Sequence, residues 1–237
     1  MNMQSTVGSH RANAILTGIF YIIATSTAIL ALPFYEPVLF QADYLTMGAG
    51  QAQSVVFGAL CELFVVCSAA GTAIMLFPYV RRYNESLGLA YLCFRWTEAI
   101  LILVGLVSVL AMVTLSQSYS SAVSPDTAAY QVSGSALKAI HDWTFILGPN
   151  FMLGINTFIY STVFYRTNLI PKKIAVFGIV GAVLIFIAAL LEMFGVIQQI
   201  SIEGALLAFP IFLYEMILAG RLIVKGFNTK SMLLQQT

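Results

Sequence analysis

Residues 174 to 197 read IAVFGIVGAVLIFIAALLEMFGVI, with Glu192 the one ionisable side chain among them. As a helix rising 1.5 Å per residue, this run reaches about 36 Å. The hydrocarbon core of a bilayer is about 30 Å thick and is crossed by about 20 apolar residues. Residues 174–197 therefore predict a membrane span, and this reading extends to the rest of the chain.

Of the 237 residues, 59% are hydrophobic and 9% charged, against about 25% charged in an ordinary soluble domain. The expected fold is an all-α integral membrane protein, a six-helix bundle with spans at about 12–32, 54–77, 87–115, 137–164, 174–197 and 204–224. Short tails at 1–11 and 226–237 flank this single domain, and residues 1–10 are expected to be disordered. Pro33 and Pro78 mark the ends of the first two spans, because proline cannot continue a helix. The apolar run from Ala14 to Leu32 is too long for a signal-peptide core and follows a single arginine, so it is read as an uncleaved first span. Segments 33–53 and 116–136 read as loops, with Ser124-Pro125-Asp126 a turn or the start of a short interfacial helix. Gly148-Pro149 marks a kink in the fourth span.

Orientation follows from lysine and arginine by loop. Of the eleven, Arg11, Arg81, Arg82, Arg166, Lys172, Lys173, Arg221, Lys225 and Lys230 fall on the side of the two termini; Lys138 falls on the other, and Arg95 lies within a span. That bias predicts cytoplasmic termini; the expected location is the inner membrane. A net charge of +1 with no clustered basic face gives no nucleic-acid partner. Cys61, Cys67 and Cys93 all lie in apolar runs and read as small buried hydrophobes. Tyr79, Tyr83, Tyr119 and Tyr165 fall where aromatic belts meet the headgroups. Residues 11–62 and 172–215 echo one another as basic start, glycine-bearing span, outer loop and a returning span with a glutamate.

Chemistry is expected from ionisable residues in the spans: Glu62, Arg95, Glu98, His141, Asp142, Glu192 and Glu215, with Asn156 on the helix face that continues from Asp142. Each ionisable group costs roughly 2.5–3.5 kcal/mol at a helix centre on insertion scales, so these groups should face one another or a watery cavity. Most of the acids fall in the outer half, which predicts an outward-facing acidic pocket. Arg95 and Glu98 stand three apart on one face and allow an ion pair. His141 and Asp142 are adjacent and so diverge by about 100°. His141 is expected to face the acids, and Asp142 to anchor the start of its helix, where first-turn amides favour negative charge. His141, Glu62 and Glu192 form the candidate set for a divalent metal. Haem is disfavoured, since the second histidine, His10, lies at the opposite face. Gly178 and Gly181, with Ala175 and Ala182, form a stripe for close helix packing.

The order of features resembles the prokaryotic six-helix membrane family known as domain of unknown function 4386. The matching residues are Arg11 to Gly18, Cys61-Glu62, Phe94-Arg95 with Glu98, Ile140-His141-Asp142, Leu169-Ile170-Pro171-Lys172 with Gly178 and Gly181, and Pro210 to Glu215 followed by Lys225-Gly226. The resemblance spans about residues 11–227 and implies a bacterial or archaeal integral membrane protein, with no activity attached. Three functions stay open. One is binding or transport of a cation, amine or other small molecule, since buried carboxylates can exchange protons and six helices suggest a homodimer. The second is a membrane enzyme using a metal or acid–base pair on a lipid or quinone-like substrate. The third is a non-catalytic partner subunit or sensor whose polar groups only hold helices together.

Overall fold

The computed structural model describes residues 3–235, and among these residues it is all-helical with no strand. The expectation of a disordered start gives way to helix from Met3; residues 1 and 2 lie outside the described residues. In chain order the helices are α1 (Met3–Ala31), α2 (Glu36–Leu39), α3 (Tyr44–Gly50), α4 (Ala52–Tyr83), α5 (Glu85–Ser121) and α6 (Thr127–Phe145). A π-helical segment, Ile146–Met152, carries α6 into α7 (Leu153–Thr167). Then come α8 (Lys172–Met193), α9 (Ile202–Lys225) and the short α10 (Met232–Gln235). Five stretches are long and apolar enough to cross a bilayer: His10–Leu39, Ala52–Tyr83, Glu85–Ser121, Lys172–Met193 and Ile202–Lys225.

Local chemistry sets the boundaries. α4 ends on Arg81 and Arg82, which suit the negative end of a helix dipole. Asn84, in extended conformation, then caps α5 by accepting from the Leu87 amide at 2.9 Å. α7 stops at Asn168, whose φ of 54° is the left-handed C-terminal stop that asparagine tolerates. Ser201 caps α9 by accepting from the Gly204 amide at 3.1 Å.

The two segments read as loops are largely helical. The 33–53 stretch folds into a 3-10 turn (Leu32–Tyr35), α2 and α3. α5 continues to Ser121, with Ser118 bonding back to the Thr114 carbonyl at 2.9 Å, and α6 begins at Thr127 under an Asp126 cap that accepts from the Ala128 and Ala129 amides. This corrects the reading of Asp142. It lies well inside a continuous helix, so Asp126, not Asp142, meets the first-turn amides.

The helices close a ring. α1 packs on α4 and α9, α4 on α5, α5 on α6 and α7, α7 on α8, and α8 on α9. The small-residue stripe does its expected packing: a Cβ at Gly181 would lie 3.1 Å from the Ile211 backbone, and one at Gly178 would lie 2.6 Å from Ser161 Oγ and closer still to the Tyr214 ring. Cys61 is buried as expected, but Cys67 and Cys93 face outward. There an apolar thiol side chain meets the surroundings of the bundle rather than its core.

Each end of the ring is covered. At one end α2 and α3 are held down by Ser116 Oγ donating to the Leu45 carbonyl at 2.7 Å and by Lys138 Nζ donating to the Leu39 carbonyl at 2.6 Å. At the other, Arg11 donates to the Leu222 and Ile223 carbonyls at the end of α9. Ser231 Oγ donates to the Thr167 carbonyl at 2.9 Å, and Phe227 is buried against Tyr79 and Phe164. Tyr79 is therefore core, with its hydroxyl 2.9 Å from His10 Nδ1, and not part of an interfacial belt.

Candidate functional site

Helix α5 serves as a ruler through the ring. Tyr91, Arg95, Glu98, Ile102 and Gly105 are all buried on its inner face. His141 and Thr144 of α6 sit beside Gly105, and Gly148 sits beside Leu101 and the Glu98 carbonyl. His141 is thus about 10 Å from the Glu98 level, toward the α2–α3 end.

The first polar group lies under α2 and α3. Tyr35 donates its hydroxyl to Glu62 Oε2 at 2.6 Å, and its ring meets the His141 ring edge-on, with centroids 6.2 Å apart. His141 is buried and its Nδ1 lies 3.3 Å from Asp142 Oδ1, while Asp142 and Glu62 are partly exposed. The expected placing of His141 on the inward face agrees with this arrangement. The second group joins the π-helical segment to α8: Asn150 Nδ2 donates to Glu192 Oε2 at 2.8 Å, and both residues are buried. A π segment holds one residue more than the α turn it replaces, and such segments cluster at functional positions. Here it carries Gly148 and Pro149, the expected site of the kink.

The third group is the largest and draws on α1, α4, α5, α7, α8 and α9. Arg95 Nη1 donates to both Glu98 oxygens at 3.0 and 2.9 Å, and Arg95 Nε donates to Thr72 Oγ1 of α4 at 3.1 Å. Asn156 of α7 donates to Glu98 Oε2 at 2.5 Å. The expected intrahelical ion pair is therefore present and fully enclosed, with Arg95 and Glu98 each under 5% exposed. Removing two charges from water costs several kcal/mol per ion unless their remaining donors and acceptors are used, and Thr72 and Asn156 use them.

Four buried tyrosines adjoin the pair. Tyr160 of α7 is the hub, with ring centroids 5.8 Å from Tyr91, 6.2 Å from Tyr214 and 6.5 Å from Tyr21. The Arg95 guanidinium lies 6.0 Å from the Tyr21 ring centroid. Tyr91 donates to the Thr72 carbonyl at 3.0 Å, and the Tyr214 and Ser161 hydroxyls are 2.8 Å apart. Gly178 of α8 makes room for that last pair. Glu215 of α9 is only partly buried and accepts from Thr25 Oγ1 at 3.5 Å.

The candidate acids thus divide among three levels. Glu62 pairs with Tyr35 near His141 and Asp142; Glu192 pairs with Asn150; Glu98, Arg95, Asn156 and Glu215 share the third level. Glu192 is engaged with Asn150 rather than with His141 and Glu62. Among the described residues no three His, Cys, Asp or Glu side chains are grouped to hold a metal ion. A separate apolar groove of about 240 Å³ lies between α7 and α8, lined by Gly154, Phe158, Ala182 and Phe186 among others, and none of these acids lines it.

The family described as "Domain of unknown function (DUF4386)" matches residues 16–226, most of the chain. The chain belongs to the DUF4386 family. No curated protein and no solved structure matches it. The match takes in all three polar levels of this DUF4386 chain, from Tyr21 to Glu215.

Several site residues escaped the sequence reading: Tyr21, Tyr35, Thr72, Tyr91, Asn150, Tyr160, Ser161 and Tyr214. A signal was present for some. Tyr91 precedes Arg95 by four and Glu98 by seven, and Tyr160 follows Asn156 by four, so each pair shares a helix face. Tyr35 had no such signal, because it stands outside any long periodic segment.

Proposed function

We propose that this protein crosses the inner membrane six times with both termini cytoplasmic, and that it binds or transports a cation, an amine or another small cationic molecule through an acidic pocket facing outward. The rod from Thr127 to Thr167 supplies the sixth crossing in this reading, and the lysine and arginine bias sets its direction. The observation that carries the function is one of charge. Glu98 and Glu192 are buried, Glu62, Asp142 and Glu215 are part-buried, and Arg95, the cation among them, is already matched by Glu98. Carboxylates within a membrane bundle are expensive and mark ion or substrate paths. Glu62, His141 and Asp142 form the outer mouth, and Glu98 with Glu215 the floor. The homodimer stays within the proposal, since six helices are few for a monomeric carrier.

Charge displacement on a solid-supported membrane tests this. Protein in liposomes is challenged with sodium, methylammonium and choline in turn. At least one should give a protein-dependent current that is cut tenfold or more in Glu62→Gln. If none of the three exceeds the signal of empty liposomes, the binding and transport reading fails and the partner-subunit reading takes its place.

A further inference from the structure

We propose that Glu215 is the proton-binding carboxyl of this molecule, taking up and releasing one proton at the third polar level, where α9 meets α1. This deepens the reading above by naming the ion that would be coupled to the cationic ligand.

The inference begins with what each acid already holds. Glu98 receives Arg95 and Asn156, Glu62 receives the Tyr35 hydroxyl at 2.6 Å, and Glu192 receives the Asn150 amide at 2.8 Å. Glu215 has only the Thr25 hydroxyl at 3.5 Å, the outer limit of a hydrogen bond. It is the carboxyl of the third level with no cation of its own, because Arg95 is spent on Glu98. The charged and titratable groups acting on it are Tyr21 from α1, Tyr91, Arg95 and Glu98 from α5, Tyr160 from α7 and Tyr214 from its own helix. From α8 none is found among the described residues.

Two of those neighbours supply the second observation. The Tyr21 and Tyr160 hydroxyls are fully buried and engage each other only loosely, short of full hydrogen-bonding geometry. An ionised carboxylate only accepts hydrogen bonds, whereas a protonated one also donates. Tyr21 precedes Thr25 by four and so shares the face of α1 that meets Glu215, where its hydroxyl can re-pair when that charge changes. The tyrosine ring centroids around Tyr160 stand 5.8 to 6.5 Å from it, so these rings pack on Tyr160, and a proton is the cation that needs no cavity among them. The step is balanced simply. A hydronium ion gives up one proton, leaving water, and one O–H bond forms on the Glu215 carboxyl. The net charge of the Arg95, Glu98 and Glu215 set rises from −1 to zero, and release reverses both changes.

Infrared difference spectroscopy of the full-length protein in lipid, between mildly acidic and mildly alkaline buffer, reads this event. The expected result is a protonated-carboxyl stretching band that titrates as one proton, disappears in Glu215→Gln and persists in Glu62→Gln and Glu192→Gln. If Glu215→Gln does not fold, Glu215→Asp should keep the band at a shifted frequency. Tyr21→Phe and Tyr160→Phe should each move its midpoint. A band that survives Glu215→Gln unchanged, or the absence of any titrating band in the parent, overturns the proposal. Titration without charge displacement would remove the transport reading alone; displacement without titration at Glu215 would remove this one alone.

Discussion

At the level of single residues, the Arg95–Glu98 pair sets the terms for the rest of the core. Glu98→Gln leaves Arg95 buried without its countercharge, and breaking such a pair from one side costs about 3–5 kcal/mol. Replacing Arg95 and Glu98 together by methionine should recover most of that loss, since two apolar side chains leave no charge stranded. Chemical unfolding in detergent micelles of the single and double variants measures the difference. A smaller effect is expected at Tyr35→Phe, which strips Glu62 of its 2.6 Å donor and should lower stability by about 1–3 kcal/mol in the same assay. The spacing of Arg95 and Glu98 made their pairing legible from sequence. The tyrosines around them were not legible, because an apolar helix uses tyrosine equally as packing and as a hydroxyl carrier. Only the convergence of α1, α5, α7 and α9 separates the two.

At the level of helices, the π segment at Ile146–Met152 sets the register between α6 and α7. It lets His141 face Tyr35, Asn150 face Glu192 and Asn156 face Glu98 along one continuous rod. Deleting Leu147 removes the residue that the segment holds beyond a regular α turn, so α6 and α7 keep their relation while side chains within the segment, Asn150 among them, shift around the helix. The expected outcome is loss of at least one of the two asparagine contacts, seen as a lowered melting temperature and aggregation on size-exclusion chromatography. Gly178→Ala tests the α8–α9 contact in a simpler way. Its Cβ would press on Ser161 Oγ and the Tyr214 ring, and overpacking of this kind costs about 1–3 kcal/mol. Basic residues made several helix ends readable in the sequence, but Pro78 does not end its helix as expected: α4 runs through it to Arg81, Arg82 and Tyr83. Polar residues concealed the others: Ser116 to Ser121 reads as loop by composition, yet Ser118 and Ser121 bond back to the carbonyls of their own helix, and Asp126 starts α6 well before the apolar run begins.

At the level of the whole molecule, long apolar helices were plain in the composition, but ring closure was not. Nothing in apolar periodicity says that α1 will meet α9, or that Arg11 will reach the carbonyls of Leu222 and Ile223 at the far end of the chain. Closure brings one polar side chain after another to the axis, and it is the physical basis for treating Glu98 and Glu215 as the floor of a site rather than as separate packing contacts. In the proposed reading the rod from Thr127 to Thr167 crosses the bilayer along with the five more apolar helices. Single cysteines in a background lacking Cys61, Cys67 and Cys93 test that crossing directly. The exposed positions Ala42, Ser124, Lys173 and Lys230 are each changed to cysteine and treated with a membrane-impermeant maleimide in intact cells. Labelling of Ala42→Cys and Ser124→Cys from outside, with Lys173→Cys and Lys230→Cys reached only after permeabilisation, is the predicted result. Labelling of Ser124→Cys and Lys173→Cys from the same side would contradict it.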